Sequence, residues 1–286
     1  MNSMQKVIKY SAMAFAIMLA IGIITAIAGV TVTVISAVTG GFSDSEDVKD
    51  FSDSFTNVKS LDIKNSNGDL TIKVGDTFKV EAENVKESFQ ATVTGNGTLK
   101  VDTNNNAWDW LNFMNWFGSD NSFQKAKITV YLPADFVAER TNVDTGAGRV
   151  TIESLNAEKL IINAGAGNIE GSNMTAENVE IDGGVGTVKF LNVSFYNSNM
   201  DCGVGNITVE GELLGDNMID CGVGEVDLKL KGSEEDYNFD VDAGIGNVRI
   251  NGDKVKNIKT NKGSDHSIKI DGGIGNVSID FDKSSF

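Results

Sequence analysis

The stretch from Gly184 to Leu228 reads GVGTVKFLNVSFYNSNMDCGVGNITVEGELLGDNMIDCGVGEVDL and carries the triplet Gly-Val-Gly three times at equal intervals. Across the chain, the triplet Gly-[Ala/Val/Ile]-Gly occurs seven times, and its first four intervals are equal while the last two are longer. Its first glycines are Gly146, Gly165, Gly184, Gly203, Gly222, Gly244 and Gly273. Self-similarity at a fixed period predicts a stack of equivalent structural units.

The residues around each triplet keep the same phase. Three positions before the first glycine the residue is always apolar, and four positions after it the residue is always Val or Ile. Six positions after it the residue is large and apolar, except at Gly171. Because alternate strand residues point to opposite faces, this phase predicts two strands around a glycine corner, with a shared apolar interior. Such units bury their apolar side chains only when they are stacked.

The predicted fold class is therefore all-β, a β-solenoid of about 19-residue coils. A stacked antiparallel sandwich is the alternative. Residues 58–101 predict degenerate coils or ordinary strands of the same body. The segment KITVYLP predicts a further strand that ends at Pro133, since proline cannot donate to a strand ladder.

The N-terminal part predicts a single transmembrane helix. Residues 10–43 contain no charged residue, and this stretch exceeds the about 20 apolar residues that cross a bilayer. Lysines precede it and acidic residues follow it, which places the N-terminus in the cytoplasm. We expect a cytoplasmic tail (1–9), a transmembrane signal-anchor helix (10–38), an acidic linker (39–56) and an extracellular domain (57–286) at the plasma membrane. Cleavage after the apolar segment is the alternative.

Composition excludes several classes of function. The net charge is −16, and the sequence shows no basic patch of the kind that nucleic-acid binding requires. His266 is the single histidine, which argues against His-based catalysis and His-rich metal sites. The last insertion contains Lys254, Lys256, Lys259 and Lys262 and predicts a local basic loop, which is either simply solvated or in contact with an anionic wall polymer.

An acidic residue or asparagine stands two positions before each triplet: Asp144, Asn163, Asp182, Asp201, Asp220, Asp242 and Asp271. The first interpretation is that each side chain accepts a hydrogen bond from a backbone N–H of the glycine turn that follows. The second is a calcium ladder formed by Asp182, Asp201 and Asp220, because carboxylates are hard oxygen ligands. No other cofactor is predicted.

Cys202 and Cys221 occupy the same phase of adjacent units. Adjacent coils would place their Cα atoms within disulfide range, and a location outside the membrane would permit oxidation. The sequence leaves two alternatives open, a disulfide or two buried free thiols that act as small apolar side chains.

The segment AWDWLNFMNWFGSDNSF (107–123) is an aromatic insert, placed within residues 104–124, that contains all three tryptophans. One interpretation is a lid on the end of the solenoid, since solenoids need caps. The other is an exposed patch that contacts lipid headgroups, glycan or a partner protein. Its candidate binding residues are Trp108, Trp110, Phe113, Trp116 and Phe117.

The opening FTNVKSLDIKNSNGDLTIKVGD, the segment KITVYLPADF and the serial units GAGRVTI and GVGNITV resemble the bacterial putative-adhesin family of β-strand-repeat proteins. The resemblance covers about residues 58–286 and includes no catalytic motif. It implies a cell-surface or envelope-associated domain of unestablished function in a Gram-positive-like bacterium. Some relatives accompany envelope-stress signalling systems.

We therefore expect a non-enzymatic binding or scaffold protein of the cell envelope. Its partner would be an envelope polymer, a glycan or a membrane protein, and the final strand (VSIDFDKSSF) would be exposed at one end and able to pair with another copy. One alternative is an accessory protein of an envelope-stress signalling system. The other is a β-helix polysaccharide-degrading enzyme, which the uniform aspartate ladder disfavours because a catalytic site would break the repeat locally.

Overall fold

The computed structural model describes residues 48–103 and 125–282. Twenty β-strands and one 3-10 turn (Glu234–Asp236) make up these residues, which contain no α-helix. The strands are β1 (Val48–Phe55), β2 (Ser60–Asn67), β3 (Asp69–Val74), β4 (Phe78–Lys86), β5 (Gln90–Val93), β6 (Thr98–Asp102), β7 (Lys127–Leu132), β8 (Val137–Ala138), β9 (Arg140–Ile152), β10 (Leu155–Asp182), β11 (Val185–Tyr196), β12 (Ser198–Leu214), β13 (Asp216–Val223), β14 (Val226–Lys231), β15 (Asn238–Asp242), β16 (Val248–Ile250), β17 (Asp253–Val255), β18 (Ile258–Lys259), β19 (Ser267–Ile274) and β20 (Val277–Asp282).

The central strands, β9 to β14, stack as parallel coils. Residues of one repeat pair with their equivalents in the next, as Val150 does with Ile169 and Val188 with Ile207. This parallel register confirms an all-β, solenoid-like domain and decides against the antiparallel sandwich. The apolar positions before and after each triplet form one continuous buried core.

The last two coils do not stack in sequence order. β13 and β14 pair in parallel with β19 and β20, so Val226 lies beside Val277 of the final coil. On their other side, β19 and β20 pair in parallel with β15 and β16. The final coil is therefore inserted between its two predecessors. The prediction that the final strand is an exposed edge is wrong for residues 277–279, which pair on both sides, while residues 280–282 pair with β14.

The N-terminal end repeats this arrangement in reverse. β2 pairs in parallel with β9 on one side and with β6 on the other. β3 likewise lies between β9 and β7. The first coil of the domain is therefore inserted between the coil of Gly146 and the coil formed by β6 and β7. As predicted, residues 58–101 contribute strands to the same body, and β7 ends immediately before Pro133.

Antiparallel strands cover the outermost coil at each end. β4 and β5 pair with β7 and β6 at one end. β18 and β17, of two and three residues, pair with β15 and β16 at the other. An unpaired strand edge is a template for association with other chains, and short or covered edges reduce that risk.

The glycine corners allow adjacent coils to approach closely. The second glycine of most triplets has a positive φ, +151° at Gly186 and +149° at Gly205. A Cβ atom added to Gly205 would lie 1.6 Å from the carbonyl oxygen of Gly186 on the preceding coil. Only glycine fits this position, because it combines a left-handed backbone with close approach to another backbone.

The one exception to the apolar phase, Gly171, is explained by its neighbour in the stack. Gly171 pairs with Phe190, whose side chain is fully buried and meets Phe195 edge to face at 5.3 Å. A Cβ atom at Gly171 would lie 2.6 Å from the Phe190 ring and 2.5 Å from the Met174 sulfur. The space left by the absent side chain at Gly171 is thus filled by the large side chain of Phe190 on the next coil.

The segment 48–55 corrects part of the linker prediction, because it forms β1 and pairs with β4. Phe51 and Phe55 pack against the core, and the Phe51 ring meets Phe89 at 5.1 Å. The Asn84 backbone N–H donates to the Asp50 carboxylate at 3.2 Å. Two aromatic side chains at strand spacing therefore hold a segment whose acidic and serine residues had suggested a solvated linker.

Three predictions fall outside the described residues: the cytoplasmic tail (1–9), the transmembrane helix (10–38) and the aromatic insert (104–124) with its five candidate binding residues. Within the ranges 48–103 and 125–282, no helix has the length and apolar character needed to span a bilayer.

Candidate functional site

The centre of each triplet lies at the outer surface of the glycine corner. In the stack these residues form one row in register, which we call the corner row: Ala147, Ala166, Val185, Val204, Val223, Ile274 and Ile245. Val185 is 53% exposed, Val204 45%, Ile274 40% and Ile245 50%. The side chains grow from Ala through Val to Ile along the row, so an apolar stripe widens toward the C-terminal end.

A second row runs beside the corner row, separated from it along each coil by two residues, a buried one and the first glycine of the triplet. Five aspartates stand in consecutive register, and we call them the aspartate row: Asp182, Asp201, Asp220, Asp271 and Asp242. The ladder predicted from the sequence used only the first three of these carboxylates, Asp182, Asp201 and Asp220. The common phase of the triplets also included the other two, and the structure places Asp271 between Asp220 and Asp242.

The turn-capping interpretation is confirmed at two positions of the aspartate row. The Gly184 N–H donates to Asp182 at 3.1 Å, and the Gly244 N–H donates to Asp242 at 2.8 Å. Among the seven glycines that begin a triplet, these two have a left-handed backbone, with φ of +46° and +56°. At the start of the stack, Asp144 instead accepts a hydrogen bond from the Asn163 amide at 2.7 Å.

The middle of the aspartate row is electrostatically strained. Partial burial, followed by the charge of Asp182, raises the pKa of Asp201. Burial and the charges of Asp201 and Asp271 raise the pKa of Asp220, which the charge of Lys269 partly offsets. These carboxylates therefore repel one another while they stabilise no glycine turn.

Replacing Asp201 with asparagine is expected to raise the free energy of unfolding at neutral pH and low salt by about 1 kcal/mol. Because the pKa of Asp201 is raised in the folded protein, protonation of this carboxyl stabilises the folded state at pH values below the ordinary aspartate pKa. This stabilisation is lost as the pH rises through the raised pKa. The advantage of Asp201→Asn should thus shrink on acidification. Urea unfolding at neutral and acidic pH measures both effects, with Asp135→Asn, an exposed aspartate outside the row, as the control. Equal stability of the two variants at neutral pH would contradict the repulsion.

The calcium ladder stays a prediction. The described ranges contain no group of three His, Cys, Asp or Glu side chains that converge on one point. Asp182, Asp201 and Asp220 form a row at strand spacing, whereas calcium takes about six to eight oxygen ligands around itself. Bound calcium would therefore need ligands that these three residues do not supply together.

Cys202 and Cys221 pair in register on adjacent coils, as predicted, and both are buried. In this structure both are free thiols. The Cys221 thiol donates to the Gly205 carbonyl oxygen at 3.5 Å, and its hydrogen bond with Cys202, together with burial, raises its pKa. The disulfide remains a prediction, and parallel neighbours in register are close enough to form one.

The two thiols are expected to react with an alkylating reagent very slowly in the folded protein and rapidly in denaturant, because both sulfur atoms are buried and the reagent cannot reach them. Mass spectrometry of the alkylated chain measures both states. Two labels in denaturant without reductant would show free thiols, and no label there would show the disulfide. Rapid labelling of the folded protein would contradict the buried register.

A third row was not recognised from the sequence. This row consists of the residues three positions after each first glycine, and its asparagines bind the backbone of the neighbouring coil. The side-chain oxygen of Asn168 accepts from the Thr187 N–H at 3.3 Å, and that of Asn206 accepts from the Glu225 N–H at 3.0 Å. The signal was the frequent asparagine after the triplet. This row couples the coils mechanically.

The predicted basic loop near the C-terminus belongs to the terminal cap. Lys259 pairs with Asp240 at 2.6 Å, and Lys262 pairs with Glu234 at 3.4 Å and Glu235 at 3.1 Å. Half of the four predicted loop lysines thus neutralise acidic groups of the same chain.

Comparison with known proteins gives one family. Residues 58–271 match the family model described as Toastrack DUF4097. No curated protein matches the chain.

Solved structures that match the chain are distant in sequence. A putative cell adhesion protein from Clostridium sporogenes is 16% identical and aligns over 82% of this chain and 100% of its own, with a TM-score of 0.35. A putative adhesin from Bacteroides fragilis is 16% identical over 83% and 99%, with a TM-score of 0.43. A putative adhesin from Parabacteroides merdae is 10% identical over 84% and 98%, with a TM-score of 0.27.

Proposed function

Since the chain belongs to the Toastrack DUF4097 family, we propose that it is a non-enzymatic binding or scaffold protein of the bacterial cell envelope. The observation that carries this proposal is the register of the outer rows. Aliphatic side chains recur in the corner row and aspartates in the aspartate row on five consecutive coils. A uniform surface suits an extended ligand, whereas a catalytic centre would require one coil to differ from the others.

The proposed location is the outer face of the plasma membrane, with the N-terminus in the cytoplasm. The apolar, uncharged segment between Lys9 and Asp44 and the basic residues before it support this topology. Protease treatment of intact cells should digest a C-terminal epitope tag and spare an N-terminal tag. Protection of both tags in intact cells, with digestion after lysis, would contradict the topology.

Binding to isolated Gram-positive cell walls tests the function. The full chain in lipid nanodiscs should sediment with walls in a saturable manner, with empty nanodiscs as the control for lipid adhesion. The same assay with calcium and with chelator tests the calcium ladder, since loss of binding in chelator would assign an ion-binding role to the aspartate row. Absence of binding in both buffers would contradict wall binding and would favour a membrane-protein partner, as in the signalling alternative.

A further inference from the structure

Exposed large apolar side chains concentrate on the corner row. Of nine such residues within ranges 48–103 and 125–282, four belong to this row, namely Val185, Val204, Ile274 and Ile245. Together with Val223, they form an unbroken aliphatic stripe over five coils. At about 4.8 Å per coil, the stripe is about 19 Å long. Contiguous apolar surface bordered by polar residues marks an interaction site more often than isolated exposed residues do.

The charges that border the stripe have one sign. The aspartate row contributes five carboxylates on one side. On the other side, the third row reads Thr187, Asn206, Glu225, Asn276 and Asn247 from the Val185 coil onward, with no cation. Lys269, two residues before Asp271, is the basic side chain whose charge acts on Asp220, and it offsets the negative charge there only in part. A partner that covers the stripe must therefore tolerate, and would gain from, a line of net negative charge.

The spacing between side chains of the corner row favours a helical partner over an extended one. An α-helix presents its apolar face once per turn, every about 5.4 Å, close to the spacing of about 4.8 Å between coils. An extended strand presents side chains on one face every about 6.6 Å, which loses register after one or two coils. Over the four steps of the stripe, a helix parallel to the solenoid axis accumulates a mismatch of about 2.4 Å, whereas a strand accumulates about 7 Å, so a helix of about four turns is the better match to five aliphatic side chains.

We propose that the corner row and the aspartate row together form a docking surface for a cationic amphipathic α-helix, whose apolar face lies on the aliphatic stripe and whose lysine or arginine side chains pair with the aspartates. This proposal rests on the proposed binding function and names the partner chemistry and its site. A second copy of this chain is disfavoured as the partner, because its net charge is also −16 and its row is also acidic.

The test uses the full chain in zwitterionic nanodiscs and a fluorescent 18-residue peptide of leucine and lysine arranged with helical period. Fluorescence anisotropy should show saturable binding beyond that of empty nanodiscs, and circular dichroism should show the peptide to be helical when bound. The same peptide rearranged to strict alternation of leucine and lysine, and a leucine–glutamate version with helical period, should both bind at least about tenfold more weakly.

Two sets of substitutions assign the binding to the proposed surface. The triple change Val185→Thr, Val204→Thr and Ile274→Thr keeps β-branched, strand-compatible side chains and should weaken peptide binding by about tenfold or more. The matched control is Val74→Thr with Val137→Thr, exposed valines away from the row, which should leave affinity unchanged. The pair Asp201→Asn and Asp220→Asn should weaken binding and reduce its salt dependence, whereas Asp135→Asn should do neither.

Three outcomes would overturn the proposal, and one of them leaves the proposed function intact. Peptide binding that is unaffected by the triple change would place the site elsewhere. Dimerisation of the wild-type chain, abolished by the triple change, would make the row an interface between copies. In the third outcome, the wild type and the triple variant bind cell walls equally, and neither protein binds the peptide more than empty nanodiscs do. This result would contradict the proposed docking surface and leave the proposed envelope-binding function intact.

Discussion

Replacing Gly205 with alanine is expected to lower the free energy of unfolding by about 4 kcal/mol or more, enough to prevent stable folding. The new Cβ atom would lie 1.6 Å from the carbonyl oxygen of Gly186, which belongs to the backbone of the neighbouring coil. Relief would require one coil to shift against the other, and this shift would disturb the parallel register on both sides. The φ of +149° at Gly205 adds backbone strain. Soluble yield and urea unfolding followed by circular dichroism measure the effect.

Alanine substitutions at two further glycines separate the two causes of the expected destabilisation, the steric clash of the new Cβ atom and the strain of a left-handed backbone. At Gly95 an added Cβ atom meets nothing within 4 Å, so Gly95→Ala should change stability by less than about 0.5 kcal/mol. Gly252 also has open space but a φ of +83°, and its alanine variant should lose about 1 kcal/mol from the left-handed backbone alone. A Gly205→Ala protein that unfolds at the same urea concentration as Gly252→Ala would show that the coils do not approach as closely as described.

Replacing Phe190 with alanine is expected to cost about 3–5 kcal/mol. The ring is fully buried, packs edge to face on Phe195 and fills the space that Gly171 leaves on the preceding coil. Because each coil contacts only its neighbours, the resulting cavity cannot be filled by a distant rearrangement. Thermal and urea unfolding of Phe190→Ala against the wild type measure the loss.

A double-mutant cycle tests the proposed complementarity between Gly171 and Phe190. Gly171→Ala alone should be destabilising, because its Cβ atom would lie 2.6 Å from the Phe190 ring. In the Phe190→Ala background the ring is absent and the flexible Met174 side chain can move, so the same change should cost little or even stabilise. The two effects should therefore differ by about 1 kcal/mol or more. Strict additivity would show that the two residues do not share one packing site.

The individual coil was predictable from the sequence, because its rules are local. The inward positions, the corner and the buried register of Cys202 with Cys221 all follow from period-two alternation around a glycine triplet. The exception at Gly171 was visible in the sequence, but its cause was not, since the compensating ring is contributed by another coil.

The order of the coils was not predictable from the same rules. The phase of the repeat shows which positions in different coils are equivalent. It does not show which coils are neighbours, because equivalent positions would pair in any order of the coils. The longer intervals before Gly244 and Gly273 indicated a change near the C-terminus, but they fit an inserted loop as well as an exchanged order. The choice depends on non-local pairing of β14 with β20 and β16 with β20. Either order places the same five aspartates on consecutive coils, so this choice decides only that Asp271 lies between Asp220 and Asp242.

The insertion of the first and the final coil, each one position inside its end of the stack, determines how a protein of this design can change its length. The chain enters and leaves the stack one coil inside each end, so repeats appended to either terminus would have no outer surface on which to stack. Only the central coils, with their constant offset, follow one another in both sequence and space. Duplication or loss of a unit there would lengthen or shorten the outer rows by one step and leave both end structures unchanged. In evolution and in engineering alike, the number of central coils can therefore change without any change in the structures that close the two ends of the stack.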